Sequence, residues 1–246
     1  MIISKQKIVS LMDLTKLGDN DTDRDIIKLC EKARNSLGEV AAICVYKQFI
    51  LLVKKTLGQD FKVATVINFP AGNSSSEEAI IEAKEALDLG ADEIDLVIDY
   101  NDYIANGSSK YSCNLIAQVK ELCGDKTLKV IIESGELKSE VLIKKVTVDV
   151  IVNGADFVKT STGKTPVGAT IDAAKVILNA INDSDKKVGF KASGGIRDYA
   201  QAAEYTKLAD DIFQGSDFTN PKLFRFGVSG LLDNLLNTTK EQEDGY

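Results

Sequence analysis

The chain has 246 residues, of which 44% are hydrophobic and 27% are charged, with a formal net charge of −7 and a pI near 4.9. This size suits one soluble α/β barrel or two smaller domains. The acidic balance argues against general binding of nucleic acid or anionic membranes, though not against a small anion in a local pocket. The chain contains no histidine, which excludes Ser-His-Asp and Cys-His catalysis and histidine-ligated zinc.

The cysteines and the apolar runs bear on the compartment. No C-x-x-C pair occurs, so we expect neither a disulfide framework nor a Cys₄ zinc site. The first residues lack the apolar stretch of a secretory signal. The longest apolar run, over residues 40–46, is far too short to span a bilayer. We therefore expect a cytoplasmic protein.

Short apolar runs rich in β-branched residues alternate with amphipathic stretches along the chain. The first element is a predicted helix over Thr22–Ser36. Eight strands are then predicted, the last two from weaker patterns: Ala42–Tyr46, Lys62–Asn68, Glu93–Ile98, Leu128–Glu133, Asp156–Thr160, Val188–Ala192, Asp211–Phe213 and Leu223–Phe226. Helical patterns between them include Glu77–Leu89, Val141–Asn153 and Ile171–Ile181.

Alternating strand and helix signals predict parallel βαβ units. Eight such units in about 250 residues indicate an α/β fold of the (β/α)₈ TIM-barrel type, with an open doubly wound sheet as the alternative that periodicity leaves open. We expect a single barrel domain over residues 1–246. Within it, residues 1–38 are predicted to form an N-terminal helical extension and residues 238–246 a mobile C-terminal tail.

Four charged residues lie inside predicted strands, where both faces are normally buried and apolar. They are spaced by about one βα unit each, so we expect them at similar heights on successive strands. If their apolar neighbours face the helices, strand alternation turns these side chains, and Cys44 with them, toward the barrel axis. A buried ion pair explains any one charge, whereas all four together favour an active site. The four residues are Asp95, Lys129, Lys159 and Lys191.

Two lysines beside a carboxylate suggest amine chemistry. A free lysine, with a pKa of about 10.4, is almost fully protonated near neutral pH. A second ammonium about 5 Å away destabilises the charged form by roughly 3 kcal/mol at an effective dielectric constant near 20, and burial supplies the rest. A lysine with a lowered pKa attacks carbonyls to form Schiff bases without histidine or metal. Asp95 and an ordered water could move the protons.

Three predicted strand ends run into turns rich in glycine, serine and threonine, over residues 160–165, 192–197 and 226–230. The first turn contains Gly163-Lys164-Thr165, but Val158 stands where a Walker A motif needs glycine, which excludes a nucleotide P-loop. Backbone N–H groups and helix N-termini at such turns favour an anion. The turns therefore predict a phosphate cradle at the end of the barrel where phosphate commonly binds, with Lys164 or Arg197 adding charge.

The chain closely resembles the 2-deoxyribose-5-phosphate aldolase family of Schiff-base (class I) aldolases, which have a (β/α)₈ fold. The resemblance extends from Leu11–Thr15 to Phe226-Gly227. It is strongest over residues 129–137 (KVIIESGEL), 154–163 (GADFVKTSTG) and 188–191 (VGFK). It implies reversible cleavage of 2-deoxy-D-ribose 5-phosphate to acetaldehyde and D-glyceraldehyde 3-phosphate in deoxyribose phosphate catabolism. We therefore expect a metal-free enzyme without a cofactor.

The resemblance also implies roles for individual residues. Lys159 would form the Schiff base, Lys191 would lower its pKa, and Asp95 would donate and accept protons. Four residues would support them: Asp13, Cys44, Lys129 and the C-terminal Tyr246. Six would form the phosphate region: Gly163, Lys164, Gly194, Gly195, Gly227 and Ser229.

Two alternatives remain at this point. Another Schiff-base lyase or a transaldolase could use the same scaffold, and a substrate panel would separate them. A catalytically silent regulator that binds sugar phosphates would keep the fold but form no adduct on borohydride reduction. Small sugar phosphates and aldehydes are the expected partners, without nucleic acid or membrane. Apolar residues on the outer face suit a homodimer as well as helix packing.

Overall fold

Eight parallel strands close into a barrel, each hydrogen-bonded to the next along the chain and the last to the first. The computed structural model describes residues 3–243, with side chains as far as Asn237. The barrel strands are β1 (Met12–Thr15), β2 (Ala42–Cys44), β3 (Val63–Ile67), β4 (Glu93–Val97), β5 (Thr127–Ile131), β6 (Phe157–Lys159), β7 (Gly189–Ser193) and β8 (Phe224–Val228). The closed order confirms the (β/α)₈ fold and excludes the open doubly wound sheet.

Helices connect the strands and cover the outside of the barrel. They are α1 (Lys5–Ser10), α2 (Asp23–Glu31), α3 (Ile50–Leu57), α4 (Ser76–Asp88), α5 (Tyr100–Asn106), α6 (Lys110–Cys123), α7 (Ser134–Leu137), α8 (Glu140–Val152), α9 (Ile171–Asn182), α10 (Tyr199–Ile212) and α11 (Leu231–Glu243). A short hairpin pairs Arg34–Asn35 with Gly38–Glu39, and a 3₁₀ turn spans Lys47–Phe49. Within the described chain, no helix is long and apolar enough to cross a membrane.

Local sequence explains where the connecting helices begin and which face they bury. At the start of α4, the Ser75 side chain accepts a hydrogen bond from the Glu78 backbone N–H. The Glu78 carboxylate accepts one from the Ser75 backbone N–H, which completes a capping box. The buried residues of α4 are Ala79, Ala83 and Ala86, spaced as one helical stripe. Small side chains on this stripe let the helix lie close to the strands.

The main differences from the sequence predictions concern the first barrel strand, which was not predicted, and the seventh predicted strand. The first barrel strand is Met12–Thr15, inside the region predicted as a helical extension over 1–38. Its four residues include Asp13, which interrupts the apolar pattern. Conversely, the predicted strand Asp211–Phe213 is wrong, because Asp211 and Ile212 end α10 and the ring of Phe213 stacks on that of Phe218 with centroids 3.8 Å apart.

The chain termini differ less from expectation. The predicted helix over Thr22–Ser36 ends at Glu31, after which the hairpin begins, and the extra N-terminal helix is α1. The predicted tail over 238–246 starts inside α11, whose helical backbone continues to Glu243. Tyr246 lies outside the described residues.

The two faces of the strands have different surroundings. Outward-facing residues such as Ile94, Leu96, Val158 and Phe190 belong to the main hydrophobic core between the strands and the helices. Inside the barrel, Cys44, Ala64 and Val66 form a second, small apolar cluster. The rest of the interior is dominated by buried charged side chains, and these form the candidate site.

Candidate active site

Asp95 on β4 is the centre of the buried charges. Its Oδ1 atom lies 2.9 Å from Nζ of Lys129, and its Oδ2 atom lies 2.8 Å from Nζ of both Lys159 and Lys191. Strand pairing explains the arrangement, because Asp95 pairs with Lys129 and Lys159 pairs with Lys191, and paired residues point to the same face. All four side chains predicted to share the axis therefore meet there.

Lys159 ends β6 and is 1% exposed. Burial lowers its pKa, Asp95 raises it and the Lys191 ammonium lowers it again, with a net result below the ordinary value of 10.5. The sequence estimate gave the larger share to the second ammonium. In the structure burial is the larger of the two causes.

The other two lysines behave in the opposite way. Burial lowers the pKa of Lys191, but Asp13 and Asp95 together raise it above the ordinary value. Burial likewise lowers the pKa of Lys129, and Asp95, Glu93 and Asp13 raise it further than burial lowers it. Lys159 is thus the one of these three lysines whose pKa is lowered.

Asp13 on β1 is fully buried and connects Lys191 to a second set of charges. Its Oδ2 atom lies 2.5 Å from Nζ of Lys191, and its Oδ1 atom lies 2.5 Å from Nη1 of Arg225. Burial raises the pKa of the Asp13 carboxyl, but Lys191, Arg225 and Lys129 lower it well below 3.8. The same competition, with Lys129, Lys159 and Lys191 as the cations, keeps the pKa of Asp95 well below its usual value. Both groups are therefore carboxylates at neutral pH.

Sequence reasoning missed two members of this buried set, Glu93 and Arg225. The Nη2 atom of Arg225 lies 3.0 Å from Oε1 of Glu93, and the Glu93 Oε2 atom lies 2.5 Å from Nζ of Lys129. Both residues are charged positions inside predicted strands. The rule that singled out Asp95 and the lysines would have found them, had it been applied to the strand ends.

A cavity of about 580 Å³ opens above these charges, at the carboxyl ends of the strands. Its floor includes Thr15, Ser193 and Gly227, which lie two positions after Asp13, Lys191 and Arg225 on the same strands. Lys159 itself does not line the cavity. All six residues predicted for the phosphate region do line it: Gly163, Lys164, Gly194, Gly195, Gly227 and Ser229.

The charge of the cavity wall suits an anion. Lys164 and Arg197 line it, and none of the described lining residues is acidic. Gly230, which also lines it, directly precedes α11, so the positive end of that helix dipole faces the same region. Lys164 is held by a 3.5 Å ion pair with the exposed carboxylate of Asp19, which leaves it accessible to a stronger anionic partner.

Glu133 organises the turn that follows Lys159, and it too was not predicted from the sequence. Its backbone is left-handed, with φ of 48°. Its buried carboxylate accepts three hydrogen bonds: from the Thr162 backbone N–H at 3.1 Å, the Thr162 hydroxyl at 2.5 Å and the Thr165 hydroxyl at 3.1 Å. Burial raises the pKa of Glu133. The signal in the sequence was weak, because Glu133 merely ended a predicted strand.

Cys44 is fully buried in the small interior cluster, and burial raises the pKa of its thiol. Among the described residues, no group of cysteine, aspartate and glutamate side chains is arranged to hold a metal ion. The carboxylates of the interior instead have ammonium and guanidinium partners.

The barrel and its buried lysines and carboxylates, beneath a cavity at the carboxyl ends of the strands, define an enzyme of the TIM-barrel class. The model of the DeoC/LacD family aldolases matches residues 7–232, and the chain belongs to that family. It is therefore an aldolase, a carbon–carbon lyase.

Solved structures agree with this assignment. The apo form of a provisionally assigned deoxyribose-phosphate aldolase from Toxoplasma gondii ME49 is 27% identical, with a TM-score of 0.86 over 97% of this chain and 95% of that one. A similarly assigned protein from Coccidioides immitis is 26% identical, with a TM-score of 0.84 over 97% and 88%. A tetrameric deoxyribose phosphate aldolase from Aeropyrum pernix, 22% identical, shares the fold with a TM-score of 0.78 over 97% and 93%.

Proposed function

We propose that this aldolase reversibly cleaves 2-deoxy-D-ribose 5-phosphate to acetaldehyde and D-glyceraldehyde 3-phosphate through a Schiff base on Lys159. The observation that carries the proposal is the contrast among the three buried lysines. Lys159 has a lowered pKa, while Lys191 and Lys129 have raised values. A neutral amine is the nucleophile that attacks an aldehyde, so Lys159 is the residue suited to the reaction.

The first step joins the Lys159 nitrogen to C1 of the open-chain sugar and gives a carbinolamine. Protonation of its hydroxyl and loss of water give the iminium ion. Asp95, 2.8 Å from both Lys159 and Lys191, can pass the protons, with Lys191 as the neighbouring acid. Lys159 and Lys191 contact the same Oδ2 atom of Asp95, so a proton can pass between the two nitrogens through that carboxylate.

The second step breaks the C2–C3 bond. A base removes the proton of the C3 hydroxyl, the bond electrons move into the iminium, and glyceraldehyde 3-phosphate leaves with C3 as its aldehyde carbon. The remaining enamine takes a proton at C2, and water hydrolyses the iminium to acetaldehyde and the free amine. Lys191 and Asp95 can stabilise both steps electrostatically, because the positive charge of the iminium forms and disappears near the Asp95 carboxylate.

The cavity supports the choice of a phosphorylated substrate. Its glycine-rich wall exposes backbone close to a ligand, and Lys164 and Arg197 supply positive charge. The phosphate of the sugar is remote from the C2–C3 bond, so its binding energy holds the substrate in place over the amine. The match to the DeoC/LacD family and the likeness to assigned deoxyribose-phosphate aldolases favour this substrate over other sugar phosphates.

The direct test is reductive trapping. The protein is incubated with acetaldehyde and borohydride, digested, and mapped by mass spectrometry. A reduced two-carbon adduct is expected on Lys159. Lys129 and Lys191 are the internal controls, because they are equally buried but keep their protons. No adduct, or an adduct elsewhere, would overturn the assignment, and a panel of aldehydes and sugar phosphates would then show which lyase or transaldolase reaction the enzyme catalyses.

A further inference from the structure

Six of the buried charges form a closed ring in which positive and negative groups alternate. Each member contacts the next at 2.5–3.0 Å, and the contacts return to the first residue. We call this set the charge ring. In order, its members are Asp95, Lys191, Asp13, Arg225, Glu93 and Lys129.

The ring is balanced, and Lys159 lies outside it. Three carboxylates face three cations, and every cation of the ring contacts two or more carboxylates. Lys159 has a single contact, to an Asp95 oxygen that it shares with Lys191. A protonated Lys159 would therefore leave one uncompensated positive charge in a dry interior, which is costly.

We propose that Glu93 and Arg225 are positioning residues of the aldolase, and that by closing the charge ring with opposite charges they set the pH at which the Lys159 amine becomes neutral: Arg225 favours the neutral amine, and Glu93 opposes that effect. The proposal rests on the proposed role of Lys159. Neither residue lines the cavity and neither has an ion pair with Lys159, because their ion pairs run to Asp13, to Lys129 and to each other. Both residues act on Lys159 electrostatically, through the balance of positive and negative charge in the barrel interior.

The structure fixes Arg225 firmly in this position. Its guanidinium contacts both Asp13 and Glu93 and lies over the ring of Phe157, 5.8 Å from the centroid. Phe157 has room because Gly189 faces it, where an added Cβ would lie 2.5 Å from the ring. Arg225 is also paired with Lys191 across β8 and β7, so the two side chains point to the same face at the same level of the barrel.

The charge state of Lys159 depends on groups from several elements. Its nearest neighbour is Asp95, with the Lys191 ammonium and the Cys44 thiol also close enough to act on it. Lys129 forms an ion pair with the same Asp95 carboxylate, and Glu133, in the turn after β5, interacts electrostatically with Lys159. These groups cannot compensate for the loss of the charge of Glu93 or Arg225, because Lys129 and Asp13 already form ion pairs with other members of the charge ring.

Two single substitutions test the proposal, with effects of opposite sign. Arg225→Met removes a positive charge, so Lys159 should hold its proton to higher pH. Glu93→Gln removes a negative charge, so Lys159 should lose its proton at lower pH. We expect the midpoint of acetaldehyde trapping on Lys159, followed with cyanoborohydride against pH and corrected with free N-acetyl-lysine, to shift up and down by about one unit respectively.

Two further variants are the controls. Glu93→Gln combined with Arg225→Met restores the balance of charge and should return the midpoint to within half a unit of the unsubstituted protein. Arg225→Lys keeps the charge and should leave the midpoint in place. A purely structural role would lower the amount of adduct in every variant without opposite shifts. Circular dichroism and thermal unfolding show which variants fold.

The outcomes separate the two proposals. No adduct on Lys159 of the unsubstituted protein overturns the Schiff-base assignment and this inference with it. An adduct whose midpoint stays fixed in both single variants, or moves in the same direction in both, overturns this inference alone. If only one single variant folds, its shift decides. If neither folds, the double variant decides, and a midpoint moved by one unit or more contradicts the proposal.

Discussion

Lys129, Lys159 and Lys191 are chemically identical side chains, each 0–1% exposed, yet the structure gives them different numbers of carboxylate partners. Lys129 contacts Asp13, Glu93 and Asp95, and Lys191 contacts Asp13 and Asp95. Lys159 contacts Asp95 alone. Because burial disfavours the charge of all three, the number of compensating carboxylates determines which one gives up its proton.

Removing the Lys191 charge should therefore reverse the state of Lys159. In Lys191→Met, the shared Asp95 oxygen is left to Lys159, so the pKa of Lys159 rises and the neutral amine becomes scarce at pH 7. We expect kcat to fall by about 100-fold, the effect of a two-unit pKa change, and the pH–rate profile to move to higher pH. Lys55→Met, at an exposed lysine of α3, is the matched control. A lower kcat with an unmoved profile would show that Lys191 does not set the charge state of Lys159.

The two basic residues of the cavity wall allow a second test at this scale. Lys164→Ala and Arg197→Ala should each raise KM for 2-deoxyribose 5-phosphate by about tenfold, the effect of losing about 1.4 kcal/mol of binding. Neither should change KM for unphosphorylated 2-deoxyribose, because these residues would contact only the phosphate. Steady-state kinetics with both sugars measures this. An equal increase in KM for the two sugars would show that Lys164 and Arg197 do not act by binding the phosphate.

At the scale of elements, β7 and β8 pack closely against each other near Lys191, where Gly227 faces Ser193. An added Cβ at Gly227 would lie 2.5 Å from the Ser193 hydroxyl and 3.0 Å from Cε of Lys191. Gly230 lines the same cavity, but an added Cβ there would meet nothing within 4 Å. The two glycines therefore form a matched pair.

Gly227→Ala should displace Lys191 and lower kcat/KM by at least about tenfold, because small misplacements of reacting groups are costly. Gly230→Ala should stay within about twofold of the unsubstituted enzyme. Kinetics on both variants, with thermal unfolding to confirm folding, provides the check. Similar losses in the two variants would mean that the whole turn is sensitive, and would contradict the specific role of the β7–β8 contact.

Elements also show how far the sequence predicts the fold. Long periodic helices such as α4, α8 and α9 were predicted to within one residue at each end, because one apolar stripe decides them. β1 was missed because its four residues hold Asp13, whose compensation comes from Lys191 and Arg225, far along the chain. A local pattern contains no information about such distant partners.

The clustering of the buried charges was predictable for a related reason. Asp95, Lys129, Lys159 and Lys191 stand out because a charge inside a buried strand needs an explanation. The sequence did not reveal which lysine contacts which carboxylate, because that depends on strand pairing across the barrel. Glu133 was missed because its left-handed backbone and its contacts to Thr162 and Thr165 exist only once the two turns lie side by side.

For the whole molecule, the buried carboxylates link stability to pH. Asp13 and Asp95 have pKa values far below 3.8 in the folded protein, so unfolding makes them bind protons more readily. Their stabilising contribution is complete above about pH 4 and is lost as the pH falls toward the folded-state values. The free energy of unfolding should therefore decrease steeply below about pH 4.

Denaturant unfolding between pH 2.5 and pH 7 tests this expectation. Asp13→Asn should be less stable at pH 7 by about 3 kcal/mol, because Lys191 and Arg225 lose a buried partner, and its stability should depend less on acid. Asp125→Asn, at an exposed turn residue, should follow the unsubstituted protein throughout. Stability that stays constant down to pH 3 would contradict the buried charge network.

The most direct test of the central claim is a titration of the lysine side chains by heteronuclear NMR in the intact protein. One resonance, absent from the spectrum of Lys159→Met, should titrate below the ordinary lysine value of 10.5, while Lys191 and Lys129 stay protonated. If the Lys159 resonance titrates at or above 10.5, the amine is an ordinary ammonium at neutral pH, and the account of how this aldolase attacks its substrate is contradicted.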